Sequence, residues 1–386
     1  MKRKLVMISA NTAWNIYSRK RLLLAMKNAG WEVITLADPD KKAAEIETDL
    51  HIRFIPLPMK SDGTNLIRDF RLFLRYISLY RRYKPLAALH INNKPNIYGT
   101  LASNILGIRS AANITGLGVV EEKKGLTRFI VHSLYRLVFS SRKSFVFFQN
   151  NDDREFFLEH RLVAAERTYV LPGSGVDLSA FSPSPEEKRD KKIITFLFNG
   201  RLLITKGIRD YISAAIEVRK LYPDTVFIVI GEYDKDNSFY LPWDELENAK
   251  KSGIIKYLGF VEQVQPYIRE ADCVVHPSYY REGVPRVLLE GAAMGKPLIA
   301  ADSPGTRDPV ENGVNGFLTI PGDRESLKSA MLRFISSSES EKKQMGFESR
   351  KIAETRFSDS IIINAYLKRL EDIYKKAEPG NGSGSG

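Results

Sequence analysis

HPSYYREGVPRVLLEGAAMGKPLIAADSPG, residues 276–305, reads as strand end, loop, helix, strand and loop. The apolar run Cys273–His276 feeds a polar loop that ends in Glu282-Gly283-Val284-Pro285. Pro285 suits the first turn of a helix, where its missing N–H costs nothing and its φ is already set. Gly283 permits close backbone approach. The free amides at that helix start form a site for an anion such as a diphosphate. Glu282 belongs to the loop, and Glu290 sits about one and a half turns into the helix. The two carboxylates therefore reach different parts of one extended ligand. Sugar and ribose hydroxyls are donors that need strong acceptors, which carboxylates supply. Taken alone, such a pair of glutamates is more often simply solvated.

Working outward, short β-rich runs alternate with amphipathic segments along the whole chain. Strands are expected at Lys4–Ser9, Glu32–Ala37, His51–Ile55, Ala87–Ile91, Ser110–Thr115, Ser144–Phe148 and Thr168–Leu171. A Gly-, Pro- and charge-rich stretch at Pro172–Lys192 interrupts the pattern. A second series follows, at Ile193–Asn199, Val226–Gly231, Ile255–Leu258, Cys273–His276, Pro297–Ala300 and Phe317–Thr319. Strands alternating with helices imply parallel sheets covered on both faces. The expected fold is α/β, with two Rossmann-like doubly wound domains, residues 1–180 and 181–359, facing across a cleft. A last helix, residues 360–378, is expected to cross back to the first domain, and residues 380–386 read as an appended Gly/Ser tail. Ligands of such sheets bind beyond the carboxyl ends of the strands.

The 386 residues suit two domains, and 43% hydrophobic with 27% charged residues is a globular composition. No apolar run reaches the roughly 20 residues of a spanning helix. Leu5–Ala10 reads as a first buried strand and not a signal peptide, because Asn11, Thr12 and Asn15 follow at once. A single cysteine, Cys273, excludes a disulfide framework and a cysteine metal site, which fits a reducing cytoplasm. Residues 1–185 hold 28 Lys/Arg and 16 Asp/Glu; the remainder hold 30 of each. All the excess positive charge lies in the first half, which should meet an anionic partner.

A second stretch, FNGRLLITKG at Phe198–Gly207, places Gly200 and Arg201 at a strand end and Lys206 and Gly207 at a helix start. That is where a Rossmann-like unit binds phosphate. Arg201 can fork two oxygens, and Lys206 supplies a compact charge. In isolation, two solvated cations on a turn explain it equally well.

Together, in this order, these stretches resemble the signature of glycosyltransferase family 4, and the resemblance spans nearly the whole chain. IGEYD at Ile230–Asp234, YLGFVEQV at Tyr257–Val264 and NGVNGFL at Asn312–Leu318 also fall where that family has comparable segments. The resemblance implies a GT-B fold and a retaining transfer that needs no metal or cofactor. It implies that Arg201 and Lys206 bind the donor diphosphate and stabilise the leaving group, and that Glu282 holds sugar hydroxyls. Backbone at Gly283, Val284 and around Pro285 would contact sugar and phosphate, and Glu290 would take the ribose. Gly200, Gly231, Gly259, Phe260 and Val261 would complete the donor site, the last three near the base.

In the first domain, NKPNIYG at Asn93–Gly99 and ITGLG at Ile114–Gly118 each follow a strand. They resemble bacterial transferases that build capsule, O-antigen and related glycans on polyprenyl diphosphates. Asn15, Arg19, His90, Lys94, Asn96, Thr115, Gly116 and Gly118 are thereby the acceptor-side candidates, with His90 equally readable as a core histidine. The chain departs from many members in having no glycine between Ser9 and Arg21, where Trp14 and Arg19 stand.

The implied function is transfer of a sugar from a nucleotide-sugar donor, UDP-hexose or UDP-N-acetylhexosamine by preference, to a polyprenyl-diphosphate-linked glycan. The helix Leu66–Tyr83 carries Leu66, Ile67, Phe70, Phe73, Leu74 and Ile77 on one apolar face, expected in the core. Leu72, Tyr76, Leu79 and Tyr83, flanked by Arg68, Arg71, Arg75 and Arg82, are expected outside, resting on an anionic membrane. That places the protein in the cytoplasm, peripheral at the inner face of the cell membrane. Nucleic-acid binding is the weaker reading of the basic half, since its aromatics follow core spacing and match no RNA-binding module. A phosphorylase or epimerase of the same fold is a further alternative. Asp38-Pro39-Asp40 and Asp234-Lys235-Asp236 have the spacing of a metal-binding Asp-x-Asp, but both read as solvated turns.

Overall fold

The computed structural model describes residues 3–59, 65–117, 125–183, 193–235 and 237–375. Gly118, Asp236, part of the Pro172–Lys192 stretch and the 380–386 tail lie outside them. The chain divides into two compact units, one of residues 1–171 with 359–386, the other of residues 172–358.

The first unit holds a seven-stranded parallel sheet in the order β3-β2-β1-β4-β5-β6-β7. Its strands are β1 (Leu5–Thr12), β2 (Glu32–Asp38), β3 (Arg53–Pro56), β4 (Ala87–Ile91), β5 (Arg109–Ile114), β6 (Ser144–Phe148) and β7 (Thr168–Val170). Alternate residues of β1 serve opposite faces, as the two-residue period of a strand requires. Val6 and Ile8 join Ile362, Tyr366 and Leu370 of the last helix, Asp359–Lys375, in one buried layer. Leu5 and Met7 join Leu72, Tyr76, Ile77 and Tyr80 of the helix Leu66–Tyr83 in another. The turn after β1 has no glycine because it closes differently. A short helix, Ala13–Tyr17, starts directly, with Thr12 Oγ1 accepting from the Asn15 amide at 3.2 Å.

The second unit holds a six-stranded parallel sheet, β10-β9-β8-β11-β12-β13. These are β8 (Thr195–Asn199), β9 (Val226–Ile230), β10 (Lys256–Tyr257), β11 (Cys273–His276), β12 (Leu298–Ala301) and β13 (Gly316–Thr319). Phe196, Phe198, Cys273 and Val275 pack under the helix Ile208–Leu221. Leu197, Val274 and Leu298 pack on the other face, under Val287 and Leu288 of the helix Arg286–Ala293.

The helix Leu66–Tyr83 is rotated from the expectation, although Ile77 is buried as expected and Phe73 is half-buried. Leu72, Tyr76 and Tyr80 are core, and Leu79 and Tyr83 are half-buried. Leu66, Ile67, Phe70 and Leu74 are 84%, 67%, 60% and 47% exposed. Both stripes have helical spacing, so periodicity could not choose between them. Polar partners decide it. The Tyr80 hydroxyl has a buried partner in His90 at 2.8 Å, and Asp69 enters the packed face because Lys94 Nζ meets it at 2.8 Å.

Candidate active site

In the second unit the connections leave β8 in opposite directions, toward β9 on one side and eventually β11 on the other. The strand order therefore switches between β8 and β11, where a doubly wound sheet opens its ligand crevice. Gly200 and Arg201 follow β8 directly, and His276 ends β11. The chain after β8 makes a 3-10 turn, Ile204–Lys206, before its helix. Gly207 joins the two with φ +76°, and a Cβ there would run into the Pro277 carbonyl. The amides of Tyr279 and Tyr280 both donate to the Thr205 carbonyl, each at 3.1 Å. The β8 turn and the loop after β11 are thus pressed together, and this carries Lys206 onto Glu282.

Lys206 Nζ forms an ion pair with one Glu282 carboxylate oxygen, and His276 Nε2 lies 3.0 Å from the other. All three side chains are largely buried. Burial alone would raise the Glu282 pKa, but Lys206 and His276 together pull it well below the ordinary carboxylate range. Glu282 is therefore an anion, and the His276 nitrogen facing it carries the proton. Burial lowers the Lys206 pKa, Glu282 opposes this, and Arg201 nearby adds to the lowering. Arg201 itself is exposed.

Pro285 caps the helix Arg286–Ala293 with extended backbone, φ −63° and ψ 127°, so that helix starts one residue later than expected. Glu290 is buried on it and pairs with Arg286 at 3.2 Å. Burial raises the Glu290 pKa against the pull of Arg286. Gly200, Gly231 and Gly259 line the carboxyl ends of β8, β9 and β10. The Gly231 amide donates to the Gly259 carbonyl at 2.9 Å, and a Cβ on Gly231 would strike the Gly200 carbonyl. Phe260 is exposed beside them. Val261 is partly buried against the core, and the Val284 side chain packs on Gly173.

Several first-unit candidates have partners within their own unit. His90 is fully buried, with Nε2 2.8 Å from the Tyr80 hydroxyl and Nδ1 2.9 Å from Thr100 Oγ1. Its ring is a core histidine with both nitrogens engaged. Lys94 is committed to Asp69, and the Asn96 amide pairs with the Asn113 backbone at 2.8 and 3.2 Å. Arg19 donates to the Asn15 carbonyl at 2.7 Å. Thr115 and Gly116 remain half-buried at the end of β5. Asn92, which the sequence reading passes over, sits there with φ +74°. It accepts from the Asn11 amide and donates to Thr115, both at 3.4 Å. Asparagine is one of the non-glycine residues that most readily adopts this left-handed backbone. Asp40 accepts the amides of Trp14 and Lys42, each at 2.8 Å, as a turn residue does.

Residues 181–351 match the family described as glycosyl transferases group 1. The group 1 match contains Arg201, Lys206, Glu282 and Glu290 together. Over most of its length the chain is similar to two curated bacterial proteins. One is the N,N'-diacetylbacillosaminyl-diphospho-undecaprenol alpha-1,3-N-acetylgalactosaminyltransferase of Campylobacter jejuni, 24% identical over 92% of this chain and 95% of that one. The other is a UDP-Gal:alpha-D-GlcNAc-diphosphoundecaprenol alpha-1,3-galactosyltransferase of Escherichia coli, 24% identical over 74% and 75%. Among solved structures, Anabaena HepE in complex with UDP and glucose superposes with a TM-score of 0.78 over 96% of this chain and all of that one, at 19% identity. At that identity the likeness shows the fold: GT-B, with two Rossmann-like domains.

Proposed function

We propose that this chain is a glycosyltransferase that takes a hexosyl or N-acetylhexosaminyl group from a UDP-sugar to a polyprenyl-diphosphate-linked glycan, with retention and without a metal. The observation that carries the reading is the convergence of Lys206, Arg201 and an ionised Glu282 at the β8/β11 switch, inside the group 1 match. Arg201, Lys206 and the amides at the start of the helix Arg286–Ala293 would offset the charge growing on the leaving diphosphate. Glu282 would accept sugar hydroxyls, and Glu290 the ribose. The lipid-linked acceptor is supported by the two relatives, whose names describe transfer to diphospho-undecaprenol-linked sugars.

The first unit would reach such an acceptor at a membrane surface. No helix among the described residues is long and apolar enough to cross a bilayer. The outward face of the helix Leu66–Tyr83 carries Leu66, Ile67, Phe70 and Leu74 beside exposed Arg68, Arg71, Arg75 and Arg82. Its one acidic residue, Asp69, is buried against Lys94. An apolar strip with arginines and no exposed acid fits an anionic lipid surface.

The donor assignment is tested by a thermal-shift screen of nucleotide sugars. A true ligand at 100 times its dissociation constant adds about 2.7 kcal/mol of stability. UDP-sugars should stabilise the wild type and fail to stabilise Lys206→Ala. Sugar isomerisation without acceptor, or phosphate-dependent release of sugar 1-phosphate, would replace the transferase with an epimerase or a phosphorylase.

A further inference from the structure

We infer that His276 is a positioning residue for the reaction, the fixed anchor that keeps Glu282 placed while Lys206 turns its ammonium toward the donor diphosphate. The inference rests on the donor-site reading above and adds a residue to it.

Lys206 has two anions to serve. Its ammonium carries three N–H donors, and each one given to a phosphate oxygen weakens its hold on Glu282. A buried carboxylate that loses one partner without gaining another is strongly disfavoured, or takes up a proton. A protonated Glu282 would lose acceptor capacity toward the sugar hydroxyls.

His276 has one polar role. Nε2 faces Glu282 Oε1 at 3.0 Å, and Nδ1 is buried with no hydrogen-bond partner. The ring is therefore not held by a polar network of its own, unlike His90, whose two nitrogens are both engaged. Its orientation comes from packing. The ring is 2% exposed and lies nearly parallel to Phe198, with centroids 6.4 Å apart and planes at 25°. A Cβ placed on Gly200, beside the proposed phosphate-binding Arg201, would stand 3.9 Å from His276 Cε1. The histidine thus stands close to the β8 turn while it faces the carboxylate of the β11 loop. It is the residue placed to keep Glu282 in register with the diphosphate cradle. The Glu282 main chain is also fixed. Gly305, at φ +75°, allows its loop so close that a Cβ would strike the Glu282 and Gly283 carbonyls.

Two substitutions separate this role from space filling. His276→Gln keeps a donor near the place of Nε2, and His276→Leu keeps the volume without a donor. UDP affinity is measured by calorimetry, and kcat and KM for the donor by initial rates. The expected result for His276→Leu is a 10- to 100-fold lower kcat, with UDP affinity within about threefold of wild type and donor KM little changed. His276→Gln should recover most of the lost kcat. Equal kcat in wild type and His276→Leu would overturn the inference, leaving His276 as packing. So would parallel loss of UDP affinity in both variants, which would make it a general support of the fold. A wild-type chain that does not bind UDP at all overturns the donor-site reading, and this inference with it. Normal UDP binding with an indifferent His276 overturns the inference alone.

Discussion

Glu290 and Arg286 form an i,i+4 ion pair at 3.2 Å on the first turns of one helix, while Glu282 lies outside that helix and pairs elsewhere. The two carboxylates of the Glu-x7-Glu pattern therefore work in separate environments. Glu290→Ala should weaken free UDP binding and raise the donor KM, by the roughly 1.5–3 kcal/mol of a charge-assisted hydrogen bond. Glu282→Ala should spare UDP binding and lower kcat. Calorimetry with UDP and initial rates with the donor compare the two. Equal loss of UDP affinity would contradict this division.

Arg201→Ala and Lys206→Ala should each weaken UDP binding, and should depress turnover more than binding if they act on charge that develops in the transition state. Lys206→Ala carries a second consequence, since it also removes the ammonium that pairs with the buried Glu282 carboxylate. Its effect on kcat should exceed that of Arg201→Ala. Wild-type turnover in either variant would remove that residue from the site.

The strands were legible because a buried parallel sheet writes itself as short apolar β-branched runs, as at Cys273–His276, where expected and observed bounds coincide. The meeting of the β8 turn with the loop after β11 was legible because Lys206 and Glu282 stand at positions that neighbouring turns fix. What was not legible needed tertiary partners. His276 shows as one more apolar-run terminus until Glu282 folds back on it. The helix Leu66–Tyr83 has two apolar stripes, and only the Tyr80–His90 and Asp69–Lys94 contacts reveal which one is buried. Asn92 gives no sign in the sequence of its positive φ.

His90 should give the first unit a measurable pH dependence. Burial lowers its pKa from 6.5 to about 3. The unfolded chain takes up the proton near 6.5 and the folded chain does not, so stability falls as pH drops between these values. The slope is about 1.4 kcal/mol per pH unit, and it vanishes above pH 6.5. Denaturant titrations at pH 7.5 and 5 should show a smaller difference in His90→Asn than in wild type. Identical differences would mean that the ring is not held neutral.

The outward face of the helix Leu66–Tyr83 should bind anionic lipid. The wild type should float with phosphatidylglycerol-containing vesicles at low salt and less at high salt. Ile67→Ser, Phe70→Ser and Leu74→Ser combined, or Arg68, Arg71, Arg75 and Arg82 changed to Gln, should abolish flotation. Each arginine near the surface contributes about 1 kcal/mol. UDP binding in solution should persist in both variants. Failure of the wild type to float, or a dimer that the serine variant dissociates, would assign this face elsewhere.

The central claim is tested most directly by following labelled sugar from a UDP-sugar into a polyprenyl-diphosphate-linked glycan, with EDTA present and with Lys206→Ala in parallel. The account predicts transfer to the lipid-linked product that survives EDTA, because Arg201, Lys206 and helix amides stand in for a metal, and that falls steeply in Lys206→Ala. No label in the lipid fraction with any UDP-sugar, or transfer abolished by EDTA and restored by Mn²⁺ or Mg²⁺, would contradict it.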